Sequence, residues 1–180
     1  MSRMDWKNAG RFGSDAEINR VHEGMAGYRS AFGDWMSYYH LDEKHSEVDE
    51  VYGEATGNGY AYFPEIRLPC MHVRHIRGEN TNSASGFYHN DELTALINYK
   101  MFSQSGLPLA DIRDGQYERD RVIYNGLVFR ITKITIEGKI QQRPTVVTLE
   151  ATEMKKDELV DQPFFAAYAG GNRPPEQTDI

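Results

Sequence analysis

The chain has 180 residues, a formal charge of −7, 39% hydrophobic against 26% charged residues, and one cysteine. That length accommodates one domain with a core and mobile ends and excludes two large domains. The acidic balance argues against tight sequence-independent DNA binding, which draws its affinity from Lys and Arg against phosphates, and the mean hydropathy of −0.65 implies long polar loops or tails.

The N-terminus has no apolar stretch ahead of Asp5, Lys7 and Asn8, so neither a signal peptide nor a transmembrane helix is expected, and the protein is expected to be made and used in the cytoplasm. Residues 1–13 are polar, with scattered Met4, Trp6 and Phe12, and read as a mobile arm. Ser14 followed three residues on by Glu17 has the capping-box spacing, and Ile18, Val21 and Met25 fall on one helical face. The expected helix is short, about 15–25, stopping near Gly24 or Gly27. Asp34 to Leu41 alternates as an aromatic strand, whereas 43–50 is acidic with Val48 as its only apolar residue and must be solvated. After the turn at Thr56-Gly57-Asn58-Gly59 a second strand is expected over 65–76, with Pro69 demanding an edge or a bulge. Residues 77–90, rich in Gly, Asn and Ser, read as a long loop.

Periodicity leaves 92–102 open between strand and helix, and Gly106-Leu107-Pro108 opens a further loop through Gly115. The clearest local structure is 121–137, where two β-rich runs flank Asn125-Gly126, the pair suited to a type I′ hairpin. Val128, Arg130, Thr132, Ile134 and Ile136 share one parity, and Gly138 is expected to end the strand before another begins over 145–152. This pattern predicts a mainly β protein: a small antiparallel β-barrel or sandwich with a short N-terminal helix, long loops and extended terminal arms. The expected division is a mobile arm at 1–13, one β-rich domain at 14–165 and a disordered tail at 166–180.

The residues offer little chemistry. Cys70 lies in an apolar run and reads as a small buried hydrophobe; in an unbroken strand His72 would share its face and His75 would not. That i, i+3 histidine pair is not a metal motif, and His22, His40, His45 and His89 read as surface or loop residues. The pairs Asp42/Glu43, Asp49/Glu50 and Asp111/Asp114 read as solvated acids, and no phosphate-binding glycine loop is present. No catalytic residue, cofactor or metal is expected, and no enzyme activity.

A further pattern lies in the order of parts from Gly33 to Leu68, GDWMSYYHLDEKHSEVDEVYGEATGNGYAYFPEIRL, and in the later run Val122-Ile123-Tyr124-Asn125-Gly126-Leu127-Val128-Phe129-Arg130-Ile131. An aromatic strand closed by Asp42, the block Asp49-Glu50-Val51-Tyr52-Gly53-Glu54, a Pro-bearing apolar segment and a late aromatic hairpin together resemble the head-to-tail connector proteins of tailed bacteriophages. The likeness is to the head-closure, or stopper, type and covers roughly 33–165. It favours a strand over 92–102, followed by a helical turn near Phe102 to Ser105.

The resemblance implies a structural protein of the virion neck, assembled in the host cytoplasm. Such a protein forms a ring, hexameric or of related symmetry, between the portal and its adaptor on one side and the tail terminator or tail tube protein on the other. It retains packaged double-stranded DNA, which passes without sequence-specific binding, and docks the tail; no membrane is involved. Asp42, Asp49, Glu50, Tyr52 and Glu54 are candidate subunit-interface residues, with Arg67, Arg74 and Arg77 as candidate partners on an adjacent copy, and Glu43 and Glu47 are candidate lumen-facing acids. A tail terminator or adaptor ring of the same assembly is the alternative, and more remotely a β-fold hydrolase.

Overall fold

The computed structural model describes residues 14–47, 59–78, 81–83, 86–88, 91–140, 143–155, 158–159 and 162–169. The first helix, α1, runs Ser14–Phe32, starting at Ser14 but passing through both glycines expected to stop it. A Cβ at Gly24 or Gly27 would meet nothing within 4 Å, so each costs only its propensity, about 1 kcal/mol against alanine. The stop is Gly33, where a Cβ would lie 2.5 Å from the Arg29 carbonyl and 2.6 Å from that of Cys70. Glycine there lets the end of α1 press directly on strand backbone.

The strands are β1 Asp34–Tyr39, β2 Ile66–Cys70, β3 His72–Ile76, β4 Thr81–Ser83, β5 Gly86–Tyr88, β6 Glu92–Asn98, β7 Arg121–Tyr124, β8 Leu127–Ile140 and β9 Arg143–Glu153. Short helices α2 (Tyr99–Gln104), α3 (Leu109–Arg113) and α4 (Ala166–Ala169), with 3-10 turns at Gln116–Arg119 and Pro163–Phe165, complete the described chain. β4 and β5 form their own hairpin inside the expected loop, and α3 interrupts the loop expected after Gly106. Leu107 and Ile112 anchor α3 in the core, and tertiary burial of this kind stabilises helices too short to persist alone.

Seven strands make one antiparallel sheet in the order β2-β1-β7-β8-β9-β6-β3. Its two ends, β2 and β3, are halves of one segment bent at Met71, whose N–H donates to Leu96 O at 2.8 Å. The mainly β expectation is met in the sandwich-like form. No closing ladder makes a barrel; the sheet turns over at a bent strand, as at sandwich corners. Pro69 lies opposite Trp35 on end strand β2, where its missing N–H breaks no ladder.

The inward side chains are Met36 and Tyr38 of β1, Leu68 and Cys70 of β2, Leu93, Ala95 and Ile97 of β6, Val122 of β7, and Val147, Leu149 and Ala151 of β9. On β8 they are Phe129 and Ile131, then Ile134 and Ile136, because an irregularity between Ile131 and Lys133 reverses the parity read from the sequence. Asn125 (φ 51°) and Gly126 (φ 73°) take the two left-handed positions of the β7–β8 turn, and β8 continues through Gly138 to Ile140.

A second apolar cluster lies on the outer face of that hairpin. Ile123 and Val128 pack there with Leu41, Tyr62, Met154, Leu159 and Phe165. Leu41 and Tyr62 are joined by an isolated bridge, which draws 59–63 over this face. Among the described residues no helix is long and apolar enough to cross a membrane.

Candidate functional site

The acidic turn after β1 is built around Asp42. Its Oδ1 accepts from the N–H groups of Lys44 (3.1 Å) and His45 (3.4 Å), and its Oδ2 lies 2.6 Å from His45 Nδ1. The His45 hydrogen bond is the main cause holding the Asp42 carboxyl below its ordinary value. Backbone bonds from Asp42 N to Ala61 O (2.9 Å) and from Ser46 N to Asp42 O (3.0 Å) fix the turn against 59–63. Glu43 and Glu47 are exposed on it. Asp49, Glu50, Tyr52 and Glu54 lie outside the described residues.

The three candidate arginine partners are separated by the bend. Arg67 on β2 faces Ser37 across the ladder and sits 3.8 Å from Glu65 of its own chain. Arg74 on β3 faces Thr94 of β6, and Arg77 follows that strand; both are exposed. Within one chain, then, Arg67 belongs to the β1 side of the sheet and Arg74 to the β6 side.

Polar centres that the sequence did not disclose lie deeper. Asp120, 1% exposed, accepts from Tyr38 Oη at 2.5 Å and from Leu41 N at 2.9 Å, and lies 2.9 Å from His40 Nδ1. The His40 ring stacks on Phe63 with centroids 5.7 Å apart. This carboxylate ties the end of β1 to the start of β7. His75 Nε2 lies 2.8 Å from Asp91, which also accepts from Gly78 N at 2.9 Å. His22 is buried with its Nδ1 2.7 Å from Asn98 Oδ1. The surface reading of His22 and His40 is therefore corrected, and His75 is held in the same way: each is partnered to a residue at least sixteen positions away in sequence, a separation that no local pattern signals.

Cys70 is buried, and burial foremost, with Asp34 nearby, pushes its thiol up to about 12. It therefore stays an unionised hydrophobe. His72 does not share its face as expected, because the bend at Met71 resets the alternation and leaves His72 exposed. Among the described residues no group of His, Cys, Asp or Glu could hold a metal ion.

A groove of about 340 Å³ lies between α1, α2 and the start of β9, lined by Ile18, His22, Tyr99, Lys100, Ser103 and Arg143 among others. Three of its polar groups are engaged elsewhere: Ser103 Oγ donates to Lys100 O at 2.8 Å, Arg143 pairs with Asp15, and His22 is held by Asn98. No nucleophile and base converge there.

The start of β7 also brings Arg119 and Arg121 beside Tyr60 and Tyr62, with Arg130 next to Arg121. Arg121 and Arg130 are cross-strand partners in the β7–β8 ladder, and the Arg119 guanidinium lies 5.9 Å from the Tyr60 ring centre. Tyr62 Oη donates to Arg119 O at 3.4 Å. Burial, foremost, and then the field of Asp120 and Tyr60 push the Tyr62 phenol up to about 12, with Arg121 and Arg119 opposing. The phenol therefore keeps its proton and remains a donor.

No family model matches this chain, and no curated protein does. Among solved structures, this chain is similar to one described as "Virion of native gene transfer agent (GTA) particle", with a TM-score of 0.40 and 11% identity, over 67% of this chain and 94% of that one.

Proposed function

We propose that this protein is a structural component of a tailed-phage-like virion, forming the head-closure ring of the neck. The observation that carries the reading is the course of the chain over 92–104. Sequence periodicity leaves it open between strand and helix, the connector resemblance implies a strand over 92–102 and then a helical turn near Phe102 to Ser105, and the chain forms a shorter strand, β6, Glu92–Asn98, with the helix α2 starting earlier, at Tyr99–Gln104. The segments that carry the resemblance form the aromatic strand β1 and the late hairpin β7–β8.

The surface supports assembly through interfaces. At the junction of α1 and β1, Tyr28 (52% exposed), Phe32 (75%) and Trp35 (53%) stand out from the fold, with Arg29 over the Trp35 ring at 5.2 Å. Aromatic residues and arginine are the side chains that most often carry binding energy in protein contacts. In the ring, Asp42 and the block containing Asp49, Glu50, Tyr52 and Glu54 face Arg67, Arg74 and Arg77 of the next copy. A heterologous contact repeated around an axis closes such a ring. Glu43 and Glu47 line the channel, where carboxylates repel phosphates and let the genome slide. Portal or adaptor and tail proteins occupy the two ends, and no catalytic step is involved.

The test is electron microscopy of particles made with this gene silenced. The expected result is tailless heads that have lost their DNA alongside free tails of normal length. Tails of abnormal length would move the role to the terminator, and normal infectious particles would overturn the neck reading.

A further inference from the structure

The arginines at the start of β7 form a cluster that stability alone does not explain. Arg121 is 5% exposed, and its Nη1 donates only to main-chain oxygens, Asp120 O at 2.9 Å and Glu118 O at 3.2 Å. Its Nε is buried with no hydrogen-bond partner among the described residues. The adjacent Asp120 carboxylate is turned away onto Tyr38, His40 and Leu41 N. Directly across the ladder stands a second arginine, Arg130, on the same outer face. Like charges opposite one another destabilise an antiparallel pair, and here one of them is also desolvated. Burial first, and Arg130 in addition, hold the Arg121 guanidinium below its ordinary value.

Neither Arg119, Arg121 nor Arg130 makes an ion pair with a carboxylate among the described residues. Arg130 faces Thr152 on β9, and Glu150, two residues along that strand, is exposed without an ion pair to it. Three guanidiniums with no carboxylate ion pair among the described residues, Arg119 and Arg121 of them beside Tyr60 and Tyr62, stand in a chain of net charge −7 and make a local field opposite to that of the whole molecule. Guanidinium groups suit the bidentate binding of tetrahedral oxyanions.

We propose that Arg119, Arg121 and Arg130, with Tyr60 and Tyr62, form a binding site for a phosphate group. Arg130 and Arg119, both exposed, make direct contact, while buried Arg121 supplies charge from beneath. The site stands independently of the neck reading, since it rests on the β7–β8 ladder and not on any ring contact. The phosphate is either a free inorganic ion or one in a nucleic-acid backbone, and the two sources are separable by experiment.

The experiment is thermal unfolding of the full chain in inorganic phosphate against chloride at matched ionic strength, with a short DNA duplex as a second ligand. Wild type is expected to melt about 2–4 °C higher in phosphate, the shift that mass action gives for a ligand at several times its dissociation constant. Arg130→Gln is expected to abolish that rise while keeping its far-UV circular dichroism, because the side chain is exposed. Lys133→Gln, an exposed lysine on the same strand, is expected to keep it. A response to the duplex alone, lost in Arg130→Gln, supports the site and identifies the phosphate as a backbone one. Equal melting in phosphate and chloride with no duplex response overturns the proposal, as does a phosphate shift that Arg130→Gln retains.

Discussion

The two faces of the β7–β8 hairpin are both covered and are built on different terms. On the inner face Val122 and Phe129 oppose each other within the main core, with Tyr38 and Ile131 among its other members. On the outer face Ile123 and Val128 begin the same way, packed with Tyr62 and Phe165. Two residues further from the turn, this face changes to Arg121 opposite Arg130. The same backbone thus holds an apolar pair on one side and a like-charged pair on the other. The difference teaches that the inner face is shaped by folding, whereas the arginine step of the outer face has been kept despite folding.

The largest effect should come from the inner face. Phe129→Ala empties a fully buried ring position and is expected to cost about 3–5 kcal/mol in denaturant unfolding; a loss below about 1 kcal/mol would remove the distinction between the faces. Next is the residue that joins them. Asp120→Ala leaves Leu41 N and Tyr38 Oη without their acceptor and is expected to cost about 3 kcal/mol, with Asp120→Asn losing roughly half as much. An equal loss in the two variants would show that charge, and not hydrogen bonding, holds β1 to β7. Smallest and of opposite sign is Arg130→Gln, expected in chloride to raise stability by about 0.2–1 kcal/mol by removing the like-charge pair. A fall in stability there would mean that Arg130 already has an internal role.

Much of this arrangement was legible in the sequence where neighbours along the chain decide it. The hairpin at Asn125-Gly126 follows from two positions that need positive φ, and β1 and β9 follow from alternation. The length of α1 was not legible, because its stop is the contact of Gly33 with the Arg29 and Cys70 carbonyls and not a helix-breaking residue inside it. Hairpin β4–β5 reads as loop because its composition is that of turns, and helix α3, Leu-Ala-Asp-Ile-Arg, reads as loop because it is only five residues long between Gly106-Leu107-Pro108 and Gly115. The acidic turn was visible as a charge run, but the capping role of Asp42 depends on its geometry. Least legible was the arginine cluster. No basic run marks Arg119, Arg121 and Arg130, and the first two meet Tyr60 and Tyr62 because 59–63 crosses the hairpin. Charge counted along the chain therefore missed charge gathered in space.

The bend at Met71 has a consequence for how the fold opens. Because β2 completes one end of the sheet and β3 the other, residues 66–76 act as a latch whose halves rest on strands β1 and β6, far apart in the ladder order. Neither half can zip into place without positioning the other, so docking of this segment depends on contacts distant in sequence on both sides, the kind that form late in folding. In the native protein the two halves are then expected to release together, with the amide protons of β2 and β3 exchanging as one cooperative unit.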